Sequence, residues 1–258
     1  MIIRSFRYVT LAVVWRGLRR YIRNPAISFP YFAMPTLLFA FGGGGLSGLA
    51  NAPAFDFPSG YTAFYFVYII LQGSAFTGAA TGASIASDFE TGFARRLLIA
   101  APHRVSVVVG YILASLILAT VLMAFLTVVG LLAGMNLEGS LLQIAGLYLL
   151  GLLVTMVASL WAAGFALRAR VTQAQSAISM PLFLSLMLSP AFVPRPLLSD
   201  WLKSIADYNP YTAILEGSRG LISGNPDETG LAYLVVAGLI LVFTVWSLTG
   251  LRAALQST

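Results

Sequence analysis

Side chains able to do chemistry are scarce in this 258-residue sequence. Cysteine is absent and His103 is the one histidine, which removes a disulfide framework, thiol chemistry and Cys- or His-based metal sites. There is no Gly-x-x-x-x-Gly-Lys-[Ser/Thr] loop and no Gly-Lys dipeptide at all, so the chain cannot hydrolyse ATP itself. The glycines at 42–45 lack the Lys and the following helix that a phosphate loop requires. Intramembrane proteolysis would need a Ser/His pair or two membrane aspartates, and neither set is present.

What the sequence does carry is three clusters set by spacing. Arg16, Arg19, Arg20 and Arg23 recur at i, i+3, i+4 and i+7 and so share one helical face. Leu11, Val14, Trp15, Leu18 and Ile22 fall on the other side, which predicts an amphipathic helix along the membrane interface, ending at Asn24-Pro25. The second cluster covers residues 87–102. Ser87 and Glu90 have capping-box spacing, and Asp88 adds negative charge to the first turn. A short helix is expected to follow, with Phe89, Phe93, Leu97 and Ala100 on one stripe, Arg95 and Arg96 beside it and Pro102 closing it. Such a helix suits docking into a partner. The same features fit an ordinary connecting helix whose Phe residues rest on lipid.

The third cluster lies in the long segment 194–229. Leu198, Trp201, Leu202 and Ile205 form one amphipathic piece. After Asn209-Pro210, Ile214, Leu215, Gly217, Leu221 and Ile222 form another. Each is too short to span, which predicts a re-entrant or interfacial helical hairpin on the outer face. Glu216 and Arg219, three apart, are placed to pair with each other.

The elements that must position these clusters are membrane spans. The composition is 59% hydrophobic and only 9% charged, with mean hydropathy +0.87. A soluble domain carries about 25% charged residues, and a water-soluble globule of this make-up would lack the polar surface to cover its core. Soluble enzymes, nucleic-acid-binding proteins and disordered chains are excluded despite the net charge of +6. Six runs are long and apolar enough to cross: 27–49, 60–85, 105–134, 141–167, 173–192 and 230–251. Twelve of the 15 Lys and Arg residues fall in the N-terminal segment, after the second and fourth spans and at the C-terminus. Arg195, Lys203 and Arg219 fall on the other side, so both termini are cytoplasmic. Arginines that continue to Arg23 before any long apolar run also exclude a cleavable signal.

No Lys, Arg, Asp or Glu lies deep in these spans; the interior polar residues are of the kind of Gln72, Gln143 and Gln175. Proton- and sodium-coupled carriers and voltage sensors need intramembrane charge, so those classes are disfavoured, and an ion channel lacks its charged or amide ring. Tyr61, Phe64, Tyr65, Phe66 and Tyr68 read as an interfacial aromatic belt, with the lining of a path for amphiphilic cargo as the alternative. The Gly/Ala/Ser-rich stretch 73–86 permits close helix contact. His103 reads as a solvated loop residue.

Three segments in this order resemble the permease subunit of type-2 ABC exporters, the daunorubicin and polysaccharide exporter class: Arg19-Arg20-Tyr21-Ile22-Arg23-Asn24-Pro25 leading to Pro35 and Phe41-Gly42-Gly43, the stretch ASDFETGFARRLLIAAP at 86–102, and LSPAFVPRPLLSDWL at 188–202 followed by YNPYTAILEGSRGLISG at 208–224. The resemblance covers essentially the whole chain as one transmembrane domain, 1–258. It implies an all-α protein of six transmembrane helices with an N-terminal interfacial helix, a cytoplasmic coupling helix and an outer re-entrant hairpin between spans five and six. It implies two separately encoded nucleotide-binding ATPase subunits, a second permease copy or homologue, and membrane lipid as partners. No cofactor is expected in this chain, ATP and Mg being bound by the partner ATPase. The resemblance gives Asp88, Glu90, Phe93, Arg95 and Arg96 the ATPase-coupling role and Arg16, Arg19, Arg20 and Arg23 the interfacial one. Trp201, Asn209, Pro210, Glu216 and Arg219 fall in the outer gate. The fragment ending in Gly42-Gly43 and the Phe192-Val193-Pro194 motif are similar to the drug-exporter branch. The expected function is ATP-driven export of amphiphilic drugs, antibiotics or lipid-like compounds across a bacterial cytoplasmic membrane. The alternatives are export of a lipid-linked polysaccharide or a non-pumping membrane scaffold.

Overall fold

The computed structural model describes residues 2–51 and 55–256, with side chains described from residue 6 onward except at Ile27. Arg4, which enters the orientation argument, has its side chain outside that description. The described residues form ten α-helices and no β-strand. They are α1 (Ile2–Arg23), α2 (Pro25–Phe39), α3 (Gly60–Glu90), α4 (Phe93–Ala100), α5 (Val105–Leu132), α6 (Leu141–Ala169), α7 (Gln175–Met187), α8 (Asp200–Tyr208), α9 (Pro210–Ile222) and α10 (Thr229–Gln256).

The chain is built around α3. Residues 61, 63–71, 73–75 and 77–79 of this helix are buried on every side, because α5, α6, α7 and α9 surround it. A helix apolar all round must be enclosed in this way. The run Tyr61, Phe64, Tyr65, Phe66 and Tyr68 therefore belongs to the core, which corrects the reading as an interfacial belt. Its rings stack on one another and on Phe192, with Tyr65 and Tyr68 each 5.8 Å from that ring.

The small-residue stretch that follows packs closely on α6. A Cβ on Gly78 would lie 2.7 Å from Ala158 Cβ and collide with the Thr155 carbonyl oxygen of α6. The seam is bonded by hydroxyls: Ser115 and Ser159 Oγ lie 2.8 Å apart, and Thr81 reaches Ser159 at 3.4 Å. On its other side α6 is joined to α10. Trp161 and Trp246 stack at 5.8 Å, and Arg168 lies 3.7 Å over the Trp246 ring while donating to the Gly164 and Trp246 carbonyls.

Helix α1 packs lengthwise along the first turns of α5. Thr10 donates to the Ser106 carbonyl, Val13 fills the space beside Gly110, and Gly17 sits against Ala114. Small residues on both helices allow the approach. Leu11, Trp15 and Ile22 remain exposed on the far side, as do Arg19, Arg20 and Arg23.

Five helical stretches are long and apolar enough to cross a membrane: Ser28–Asn51, Gly60–Glu90, Val105–Leu132, Leu141–Ala169 and Thr229–Gln256. The run at 173–192 is not among them. It becomes a short 3-10 turn, then the 13-residue α7 containing Pro181, then irregular chain. At 1.5 Å per residue α7 is about 20 Å long, short of the roughly 30 Å hydrocarbon core.

Two local expectations are also corrected. Ser87 and Glu90 do not begin a helix; they form the last turn of α3, because the buried face continues through Ala86 and Asp88. The break comes at Thr91-Gly92, where Gly92 takes φ 71°, a left-handed conformation that favours glycine, and α4 starts directly after it. Gln143 is not interior. It closes a capping box with Ser140 at the start of α6, its Oε1 accepting from the Ser140 N–H at 2.7 Å.

Candidate functional site

The polar residues gather at the two ends of the bundle. At the end where α3 finishes and α5 begins, Asp88 is buried and accepts from three donors. Both terminal nitrogens of Arg16 grip it, the Nη2–Oδ1 bond being 2.7 Å, and the Tyr111 hydroxyl donates to Oδ2. The Arg16 guanidinium also lies 3.6 Å over the Phe93 ring. One arginine therefore fastens α1 to the end of α3, the start of α4 and the buried face of α5. A fork-shaped guanidinium is suited to this because it binds a carboxylate with two bonds and still offers a flat face to an aromatic ring.

Glu90 makes a second tie. Its Oε1 accepts from the Thr172 backbone N–H at 2.7 Å and from the Thr172 hydroxyl at 3.0 Å, joining α3 to the α6–α7 connection. In that connection Arg170 adopts φ 58° and its guanidinium approaches the Phe89 ring at 5.6 Å. On α4, Ala94 and Leu98 are buried while Arg95, Arg96 and Ile99 point outward. Of the expected coupling residues, then, Asp88, Glu90 and Phe93 work inside the protein, and Arg95 and Arg96 form its outward face. Of the interfacial arginines, Arg16 bonds Asp88 while staying half-exposed, and Arg19, Arg20 and Arg23 are exposed. Tyr111 was missed by the sequence reasoning, since a lone tyrosine in an apolar span carries no local signal.

At the opposite end Arg219 is buried, and it does not bond Glu216. Its guanidinium donates to the carbonyls of Pro190 (2.7 Å), Ala191 (3.1 Å) and Phe64 (3.3 Å) and stacks 3.4 Å from the Phe64 ring centre. The expected i, i+3 pair gives way because the Pro190 and Ala191 oxygens, presented by the turn after α7, need donors in a dry site. Burial pushes the guanidinium down to about 9, which leaves it charged at neutral pH. Glu216 lies instead 3.6 Å from Arg195, which also bonds Asp207 through Nε at 2.8 Å. Burial, then the neighbouring Glu228, raise the Glu216 carboxyl above its ordinary range.

Asn209 and Pro210 shape the turn between α8 and α9. Asn209 caps α9 by accepting from the Tyr211 N–H at 3.0 Å and donates to the Ser185 carbonyl at 2.6 Å, while Pro210 occupies the first helical position. Trp201 is exposed on α8.

Between the two ends, a cleft of about 740 Å³ opens among α2, α3 and α7. Met34, Phe41, Phe183, Met187 and Phe192 line it, with Tyr65, Tyr68 and Gln72 as its polar margin. Gln72 Nε2 donates to the Tyr68 hydroxyl at 3.2 Å. Thioether and aromatic walls with a few hydroxyl and amide groups accommodate flat or flexible amphiphiles.

The model of the ABC-2 type transporter family matches residues 8–222. The daunorubicin resistance ABC transporter permease protein DrrB1 of Streptomyces coeruleorubidus is 27% identical over 240 residues, 91% of this chain and 82% of that protein.

Proposed function

Since the chain belongs to the ABC-2 type transporter family, we propose that it is the permease subunit of an exporter driven by a separate ATPase, moving amphiphilic or hydrophobic compounds outward. In this reading the basic end is cytoplasmic and the segment 172–192, with α7 at its centre, completes a sixth crossing. Helix α4 is the coupling helix, presenting Arg95 and Arg96 to the ATPase, and α8–α9 is the outer hairpin. Two ATPase copies and a second permease copy complete the assembly.

The observation that carries the reading is the Arg16–Asp88–Tyr111 node with Phe93 beneath it. It gives α4 a rigid hold on three long helices, so a push on Arg95 and Arg96 moves the bundle instead of bending a loop. Switching between two states requires contacts that differ in each. A charged, partly wet junction supplies them more readily than an interdigitated apolar seam. The cargo class is supported by the α2–α3–α7 cleft and by the likeness to a permease named for daunorubicin resistance.

Purified in mild detergent from its native host, the chain is expected to bring down a stoichiometric nucleotide-binding subunit with vanadate-sensitive ATPase activity. Arg95→Glu with Arg96→Glu is expected to release that subunit while the permease stays folded. A chain that purifies alone, or a double variant that keeps the ATPase at the wild-type level, refutes the coupling assignment.

A further inference from the structure

A second cleft, of about 770 Å³, runs between α2 and α5 on the outside of the bundle. Ser28, Phe29, Ala33 and Thr36 line it from α2, and Val121 and Phe125 from α5. Ala33 and Thr36 form a low floor, and the exposed rings of Phe29 and Phe125 form the walls. From residue 28 to 37 it follows α2 for about 13 Å, close to the depth of one leaflet's hydrocarbon.

The charge around its α1 end is one-sided. No Asp or Glu occurs before Asp56. The carboxylates that end α3 are already engaged, Asp88 by Arg16 and Tyr111, Glu90 by Thr172. Arg19, Arg20 and Arg23 are exposed, and no carboxylate among the described residues pairs with them. A continuous path of rings leads from the last turn of α1, which carries Arg20 and Arg23, to the cleft: Tyr21 meets Tyr31 at 5.4 Å, Tyr31 meets Phe32 at 5.0 Å, and Phe32 meets Phe125 at 5.2 Å.

We propose that this junction of α1, α2 and α5 is a binding site for one anionic glycerophospholipid, its phosphate on Arg20 and Arg23 and an acyl chain along the α2–α5 cleft. The occupant follows from the combination. An apolar cleft of leaflet depth takes a chain, and an unneutralised arginine pair at its end takes a phosphodiester. The leaflet assignment rests on the orientation proposed above; the site itself does not, and neither does it depend on the cargo.

The test is native mass spectrometry of the full-length permease with its co-purified partners, in mild detergent with added phosphatidylglycerol or phosphatidylcholine. The wild type is expected to retain one phosphatidylglycerol per chain in preference to phosphatidylcholine. Arg20→Ala with Arg23→Ala is expected to weaken phosphatidylglycerol retention by about 25-fold, from roughly fivefold per arginine, and to leave phosphatidylcholine unchanged. Val121→Trp, at a half-exposed position, is expected to reduce retention of both lipids, with Ala33→Leu as the second filling variant. Equal retention of the two lipids by the wild type overturns the proposal. Insensitivity to the arginine pair also overturns it, as does a Val121→Trp or Ala33→Leu chain that is monodisperse and still retains phosphatidylglycerol fully. Because no readout involves transport or ATP, a failure here is separate from a failure of the permease assignment.

Discussion

The Arg16–Asp88–Tyr111 node makes an asymmetric prediction. The Asp88 side chain is 8% exposed and that of Arg16 is 45% exposed. Arg16→Ala leaves a buried carboxylate with the Tyr111 hydroxyl as its remaining side-chain donor. Breaking a fully buried pair this way costs about 3–5 kcal/mol, but Arg16 is nearly half wet and water can follow it in, so about 2 kcal/mol is the expected loss. Asp88→Ala leaves Arg16 free to turn toward water while keeping its contact with Phe93. What remains is an orphaned Tyr111 hydroxyl, a loss of about 1–2 kcal/mol. Removing both charges should be far less harmful than the sum, with a coupling of about 1–2 kcal/mol. Tyr111→Phe alone should cost about 1 kcal/mol.

The assay is reversible unfolding of the full chain in mixed micelles, titrated with a denaturing detergent and followed by tryptophan fluorescence. Trp15, exposed on α1 next in sequence to Arg16, reports release of that helix, while Trp161 and Trp246 report the α6–α10 seam. Single losses that add to within about 0.5 kcal/mol in the double variant would refute the linkage. So would a neutral Arg16→Ala, because the buried carboxylate would then need no guanidinium.

Three further outcomes are expected. Gly78→Val should abolish monodisperse protein, since even a Cβ there meets the α6 backbone and overpacking costs about 1–3 kcal/mol or more; Gly238→Ala, with open space around it, is the matched control measured by yield on size exclusion. Arg219→Met should lower stability by about 2–3 kcal/mol by orphaning the Pro190 and Ala191 carbonyls, with faster proteolysis at residues 188–199, and Arg219→Lys should not rescue it because a point ammonium cannot reach three oxygens in a fork. The raised Glu216 carboxyl means that the folded chain holds this proton more tightly than the unfolded one. Its contribution is therefore full below the ordinary value of 4.5 and is lost as pH rises through the higher folded value; Glu216→Gln should flatten that part of the melting-temperature profile.

Five of the six apolar runs were legible because a bilayer imposes run length, which is visible in the sequence. The failures have local causes. Ser87-x-x-Glu90 and Ser140-x-x-Gln143 carry the same capping signature, yet only the second begins a helix. The difference is tertiary: α3 keeps a buried face through Asp88, and the break is made by Gly92. The run at 173–192 counts as a span by hydropathy, but a 3-10 turn at 172–174 and the bend after Met187 leave a helix of 13 residues. The aromatics from Tyr61 to Tyr68 carried a usable signal, namely apolar character on all sides. The partners of Arg219 and Asp88 were not legible, because they lie 155, 29, 28, 72 and 23 residues away and no spacing rule reaches that far.

The distribution of close contacts divides the bundle mechanically. Helices α3, α6 and α10 meet through glycines at 78, 164 and 250 whose missing Cβ atoms are filled by the neighbouring helix, so sliding along these seams would cost overlap at every turn. The α1–α5 seam is of the same kind, with Val13 filling the space beside Gly110, whereas the attachments of α2 and α4 differ. Helix α4 is held by Phe93 under the Arg16 guanidinium and by the buried Ala94 and Leu98, and α2 borders both large clefts. A permease that alternates between two shapes must move along surfaces whose contacts can be exchanged without opening voids. We propose that the exchangeable surfaces are those of α2 and α4, against a close-packed α3–α6–α10 block. The buried charge of the basic end, Asp88, lies where α3 of that block meets α4, with Arg16 bonded to Asp88 and stacked on Phe93.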